Sequence, residues 1–272
     1  MAPLLDAAAL TLADPVRACW SVHATLDESP SPRVNASLVA DGERLLLFGG
    51  YSIDDVCCLR DLWVLSLASD AWRCVEPPEG TPAPAPRSGH TAVVLRRSMV
   101  VFGGMNGARF LNDVHELDLQ TLTWAEFEPP AGSDSPAPRR GHTSTVFQGS
   151  MYVFGGIGRE GPFGDMWRLA RTRQSFRWSQ VEVSGQGPQV YDHDAVLWDR
   201  SLFVFGGVDA RHNAASAAVY CFSLHTHTWT NIIMIGDIVL QPRSRHQCVR
   251  IGHKVGKIEW RKRKKKKEKR EC

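Results

Sequence analysis

The residues of this 272-residue chain that could do chemistry are its ten histidines, seven cysteines and a recurrent set of arginines. His90, His142, His193 and His246 follow one another at spacings of 52, 51 and 53 residues. Imidazoles hold zinc or copper when several meet around one ion. Histidines spaced this evenly instead occupy one position in successive copies of a unit, which predicts a packing role for each. His225 and His227 sit two apart and could share an ion, but the sequence offers no third ligand. The cysteines show neither CxxC nor zinc-ligand spacing. Cys57 and Cys58 are expected as free thiols in a loop, and Cys19, Cys74 and Cys221 as small hydrophobes in strand-like runs. There is no GxxxxGK[ST] phosphate loop and no Ser-His-Asp grouping. No catalytic residue, metal or cofactor is therefore expected. The arginines differ: Arg33, Arg87, Arg139 and Arg243 each follow a proline at one repeat position, and Val190 takes that slot once. A guanidinium binds carboxylate or phosphate bidentately, so this series is a candidate contact for an anionic partner.

The elements that position these residues recur with them. LLLFGG (45–50) returns as MVVFGG (99–104), MYVFGG (151–156) and LFVFGG (202–207). Phe48, Phe102, Phe154 and Phe205 are 54, 52 and 51 residues apart. An apolar run ending in Gly-Gly reads as a buried strand entering a tight backbone bend, at Gly49-Gly50, Gly103-Gly104, Gly155-Gly156 and Gly206-Gly207. A tryptophan follows each Phe by 22 to 24 residues: Trp72, Trp124, Trp178 and Trp229. Between them lie alternating apolar runs, three of them opened by Asp61, Asp113 and Asp165. A unit of about 50 residues containing four strand-like runs points to a propeller blade.

These registered His, Gly-Gly and Trp positions closely resemble the kelch-repeat family over about residues 17–250. The resemblance implies an all-β propeller of four-stranded antiparallel blades. Four full blades are expected (33–85, 86–137, 138–188 and 189–241), with an incomplete fifth at 242–250 and a ring that does not close. Two further residues between Asp165 and Trp178 predict a longer turn in the third blade. Pro-rich linkers (77–86 and 129–138) separate blades, since proline cannot donate to a ladder.

Strand parity places the loops after Gly-Gly and the linkers on one rim. Candidate partner contacts there are Arg33, Arg87, Arg139 and Arg243, with Tyr51, Asn106, Arg109, Arg159 and Arg211 in the post-Gly-Gly loops. The resemblance implies a non-catalytic module capturing a protein or peptide segment on that rim, and the arginines favour an acidic one. The alternative it allows is a metal-dependent enzyme, like the copper oxidases or the iron-dependent specifier proteins. The oxidases need a Tyr-Cys cofactor, and this chain has only Tyr51, Tyr152, Tyr191 and Tyr220.

The ends differ from the middle. Residues 1–16 read as a flexible lead-in without signal-peptide character, and Arg17 to His23, centred on Trp20, as an isolated blade strand. All eight lysines lie in 254–272. Residues 257–272 hold ten basic and three acidic residues, or +7; against +3 for the whole chain, 1–256 carry −4. The propeller is therefore no nucleic-acid surface, and any such contact would be weak and confined to the tail. No run reaches the length of a membrane span. Residues 251–272 are expected as a solvated basic tail. Its block Arg261, Lys262, Arg263, Lys264, Lys265, Lys266 and Lys267 is either a nuclear-import signal or the mark of a chain cut from a longer propeller. The expected location is the cytoplasm, or the nucleus if that block acts.

Overall fold

The computed structural model describes residues 28–78, 80–130, 132–173, 175–232, 240–251 and 254–258. The strand expected at 17–23 and the basic block 261–267 lie outside them.

The alternating apolar runs form four antiparallel sheets. The first blade is β1 (Ser37–Asp41), β2 (Arg44–Ser52), β3 (Cys57–Ser66) and β4 (Ala71–Val75). The second is β5 (Thr91–Leu95), β6 (Ser98–Asn106), β7 (Arg109–Asp118) and β8 (Trp124–Phe127). In the third, β9 (Thr143–Phe147) and β10 (Ser150–Phe154) precede a short ribbon, β11 (Ile157–Gly158) and β12 (Gly161–Pro162), then β13 (Met166–Arg171) and β14 (Phe176–Gln180). β15 (Val190–Tyr191) leads into the fourth: β16 (Asp194–Trp198), β17 (Ser201–Phe205), the short β18 (Val208–Asp209) and β19 (Ala214–Ala215), β20 (Val219–Ser223) and β21 (Thr228–Ile232). No helix occurs among the described residues.

A fifth unit begins with β22 (Gln247–Ile251) paired to β23 (Lys254–Ile258). The boundary expected at residue 250 thus falls inside a hairpin, and strand pairing runs on to Ile258. A second expectation changes in the third blade. Leu169 faces Trp178 as Leu65 faces Trp72, but one more pair, Arg171 with Phe176, follows before the turn. The two additional residues lengthen the ladder by one rung, not the turn.

The first strands stand side by side about a common axis: β1 by β5, β5 by β9, β9 by β16 and β16 by β22. The residue two positions after each motif arginine, and after Val190 in the fourth repeat, stitches this ring. Gly89 N–H donates to the Asn35 carbonyl (2.9 Å), Gly141 to Gly89 (2.9 Å), Asp192 to Gly141 (2.8 Å) and Arg245 to Asp192 (2.8 Å). All five take positive φ, from 52° to 64°.

The core lies between blades rather than within them. Phe48 packs 5.0 Å from Trp124 of the next blade, Phe102 4.9 Å from Trp178 and Phe154 4.7 Å from Trp229, ring centre to ring centre. Each seam also buries Leu, Val and Met from the facing second and third strands. Trp72 and Phe205, the members of this series at the two flanks, are half-buried.

The histidines pack at the same seams. His90 Nε2 shares a hydrogen bond with Ser37 Oγ, His142 with Thr91 and His193 with Thr143, each at 2.9 Å. Each imidazole lies edge-on to the preceding blade's phenylalanine. Burial holds His90 and His193 down at about 3 and His142 well below its ordinary value, with Arg87 and Arg139 adding repulsion at the first and last-named.

Gly-Gly brings neighbouring blades into close approach. In the first pair member φ is +60° at Gly49, +64° at Gly103, +65° at Gly155 and +58° at Gly206. A Cβ on Gly103 would stand 2.9 Å from the Arg139 carbonyl oxygen and 3.1 Å from the His142 ring. That carbonyl accepts the Gly104 N–H at 2.8 Å. Gly103→Ala is therefore expected to cost at least about 2 kcal/mol in urea unfolding, from left-handed strain plus the seam clash. Gly107→Ala, with φ +57° but open space around its Cβ, should lose only about 1 kcal/mol. Equal losses would show that the seam contact contributes nothing.

Candidate partner-binding rim

Antiparallel bridges join Val34 to Tyr51, Ser88 to Met105 and Arg140 to Ile157. The linker ends and the post-Gly-Gly loops therefore share one rim, as parity requires. What the rim arginines do there was not legible from their spacing.

Arg87 donates both Nη1 and Nη2 to Asp113, each bond 2.8 Å, while Nη1 also reaches the Gly103 carbonyl (3.1 Å) and Nε the Ala85 carbonyl (3.0 Å). Arg139 repeats this with Asp165 (2.6 and 2.9 Å), Gly155 and Ala137. Arg33 repeats it with Asp61 (2.6 and 2.9 Å), Gly49 and Ser31. The side chains of Arg87 and Arg139 are 0% exposed and that of Arg33 5%. Each fork pins the linker, the Gly-Gly bend and the start of the third strand together. Their role as partner contacts is corrected: these guanidiniums are spent inside their own blades, because the third strand presents a carboxylate within reach. Arg243 is half-buried, and its Nε donates to the Gln241 carbonyl at 2.7 Å.

The aspartates complete the clamp. Burial pushes Asp113 up, but the Arg87 and His115 hydrogen bonds outweigh it and hold the carboxyl below the ordinary range. Asp61 and Asp165 are lowered in the same way by Arg33 and Arg139, with help from the Trp63 and Trp167 indoles, which donate at 2.6 Å. In the second blade His115 stands where the first and third have tryptophan and meets Asp113 at 2.9 Å. Glu126 lies opposite His115 on β8, so Asp113, His115 and Glu126 are close enough together to hold a cation. Both Asp113 oxygens already accept Arg87, whose charge opposes a second cation there.

The remaining rim candidates stand at the loop tips. Arg109 and Asn106 face one another across the β6–β7 tip, and both are exposed. Arg159 is exposed at the β11–β12 tip beside exposed Glu160. Among the described residues neither Arg109 nor Arg159 has an acidic partner within ion-pair distance. Arg211, with 59% of its side chain exposed, lies 3.6 Å from Asp209. Tyr51 is half-buried on β2 opposite Cys58.

Nearer the axis, Asp192 bonds Arg140 (3.3 Å) and Arg245 (3.0 Å). Asp192 and Arg245 line an axial cavity of about 260 Å³ with Asn35, Gly89 and His246. One seam departs from the rest: Asp194 takes the hydroxyl position opposite His246, and burial raises its carboxyl to about 6 despite backbone bonds from Cys248 and Ala195.

The comparisons with known proteins agree with this architecture. The family described as the KLHDC2/KLHL20/DRC7 Kelch-repeats domain matches residues 6–133 and 126–256. Kelch domain-containing protein 3 of Homo sapiens is 30% identical over 83% of this chain. Host cell factor 2 of Homo sapiens is 28% identical over 87%, and the flagellar outer-arm dynein alpha chain of Chlamydomonas reinhardtii 32% over 70%. The chain spans 60%, 34% and 4% of those three relatives. The registered seams and the family match lead to one conclusion: this chain belongs to the kelch-repeat family and folds as a kelch β-propeller whose described strands do not close into a ring.

Proposed function

We propose that this propeller is a non-catalytic interaction module that binds an acidic protein segment across the tips of the second, third and fourth blades. Membership of the kelch-repeat family supports the general class. The observation that carries the finer reading is the contrast among arginines. Arg87 and Arg139 are wholly buried and bound to aspartates, whereas Arg109 and Arg159 stand exposed on adjacent tips without an acidic partner. Arg211 continues the series on the fourth blade. Exposed guanidiniums on a rigid rim attract carboxylates and speed encounter with them.

Charge reversal at Arg109 and Arg159 to glutamate is expected to weaken binding of a fluorescent oligoglutamate peptide by about tenfold or more, with the Tm unchanged. The loss should shrink at high salt, as exposed charges are screened. Unchanged affinity in that double variant would remove the acidic-segment reading.

A further inference from the structure

The tip of the first blade is built differently from the other three. Left-handed backbone is needed near each tip, and the other blades supply it with Gly107 (φ +57°), Gly161 (+124°) and Asn213 (+46°). Glycine and asparagine adopt that conformation at little cost. The first blade uses Val56 at φ +55°, a β-branched residue for which the region is strained. Val56 is nevertheless 72% exposed, and Ile53 at the other side of the same turn is 65% exposed. Val34, 43% exposed, is bridged to Tyr51 just before that turn. Ser52 locks the turn by receiving the Asp55 N–H and donating to its carboxylate at 2.7 Å. The fold thus bears strain to hold an exposed apolar pair at the rim. Strained backbone of this kind gathers at ligand contacts.

Charge around the rim indicates what the pair meets. Exposed Asp54 and Asp55 lie between its two members, whereas the following tips carry Arg109, Arg159 and Arg211. An acidic run is repelled from the first tip and attracted to the other three. We infer that Ile53 and Val56 seat an apolar side chain at one end of the same acidic segment, and so fix the direction in which that segment lies. This rests on the acidic-segment reading above and adds the partner's second chemical feature.

The test uses the full chain and fluorescence anisotropy. The probes are an oligoglutamate peptide ending in two leucines, one beginning with two leucines, and a third with serines in their place. One leucine peptide is expected to bind about tenfold tighter than the serine peptide, and the other not. Val56→Gly combined with Ile53→Ser should abolish that advantage. Val56→Gly alone should raise the Tm, since glycine relieves the left-handed strain, so lost selectivity would not reflect unfolding. Equal binding of all three peptides by the wild type, or a leucine advantage that survives the double variant, overturns the inference. Binding of the serine peptide that is lost on reversing Arg109 and Arg159 would then leave the acidic-segment reading standing. If no peptide binds, or if lysine replaces glutamate without loss, both readings fall.

Discussion

Arg139→Ala is expected to destabilise the propeller by about 3 kcal/mol, at the low end for breaking a buried ion pair because the Asp165 side chain keeps 22% exposure. The variant removes the guanidinium from which the Asp165 carboxylate, the Gly155 carbonyl and the Ala137 carbonyl all accept, and leaves Asp165 the Trp167 indole. It also empties the space beneath the Phe163 ring, which lies 4.1 Å from the guanidinium carbon. Arg139→Lys should recover little, since an ammonium cannot form the fork. The fourth repeat supplies a control: it carries Val190 where the others have arginine and Ala218 where they have aspartate. Arg139→Val with Asp165→Ala copies that apolar solution and should cost clearly less than Arg139→Ala alone. Urea midpoints decide the matter. A loss under about 1 kcal/mol in the single variant, or equal losses in single and double, would remove the clamp from the account of stability.

Stability is also expected to fall as the pH drops from 7.5 to 5.5. His90, His142 and His193 are buried and neutral in the fold, their pKa values held far below 6.5. The unfolded chain takes up protons on those imidazoles below about 6.5, and the folded chain does not, so their stabilising contribution is present above that pH and lost beneath it. Each contributes about 1.4 kcal/mol of loss at pH 5.5. Asp194 works in the opposite sense: raised to about 6, it is costly when charged and is relieved on protonation. It returns about 1 kcal/mol, so a net loss of about 3 kcal/mol remains. Asp61, Asp113 and Asp165, held low, stabilise the fold above about pH 4 and lose that contribution only as the pH falls below it, outside this window. Urea unfolding at the two pH values measures the difference. A flat or rising profile would mean that these imidazoles are not neutral in the fold. His142→Asn should remove roughly one third of the histidine contribution.

The division between legible and illegible features follows the range of the forces involved. Gly103 could be read from sequence as a left-handed bend because the requirement is local, and its recurrence at Gly49, Gly155 and Gly206 repeats one environment four times. His90, His142 and His193 were legible as packing residues for the same reason. Arg87 and Arg139 were not, since proline before an arginine says nothing of where a long side chain ends. A pairing signal was nonetheless present. Arg87 and Arg139 each precede an aspartate by 26 residues and Arg33 by 28, whereas the fourth repeat lacks both partners. The lengthened third-blade ladder was hidden too, because two residues added near a turn enter either the loop or the strands, and cross-strand contacts choose.

The sequence by itself determined the repeat, the strand order within each blade and the shared rim. Period, alternation and glycine placement are properties of short segments, and every copy restates them. Only the tertiary structure decided which rim charges face solvent. A guanidinium within reach of a carboxylate two strands away is buried and committed, as at Arg139, while one carried beyond the sheet on a loop tip, as at Arg109 and Arg159, stays free to meet another chain. That choice depends on distances across the blade, and residue identity along the chain does not contain them.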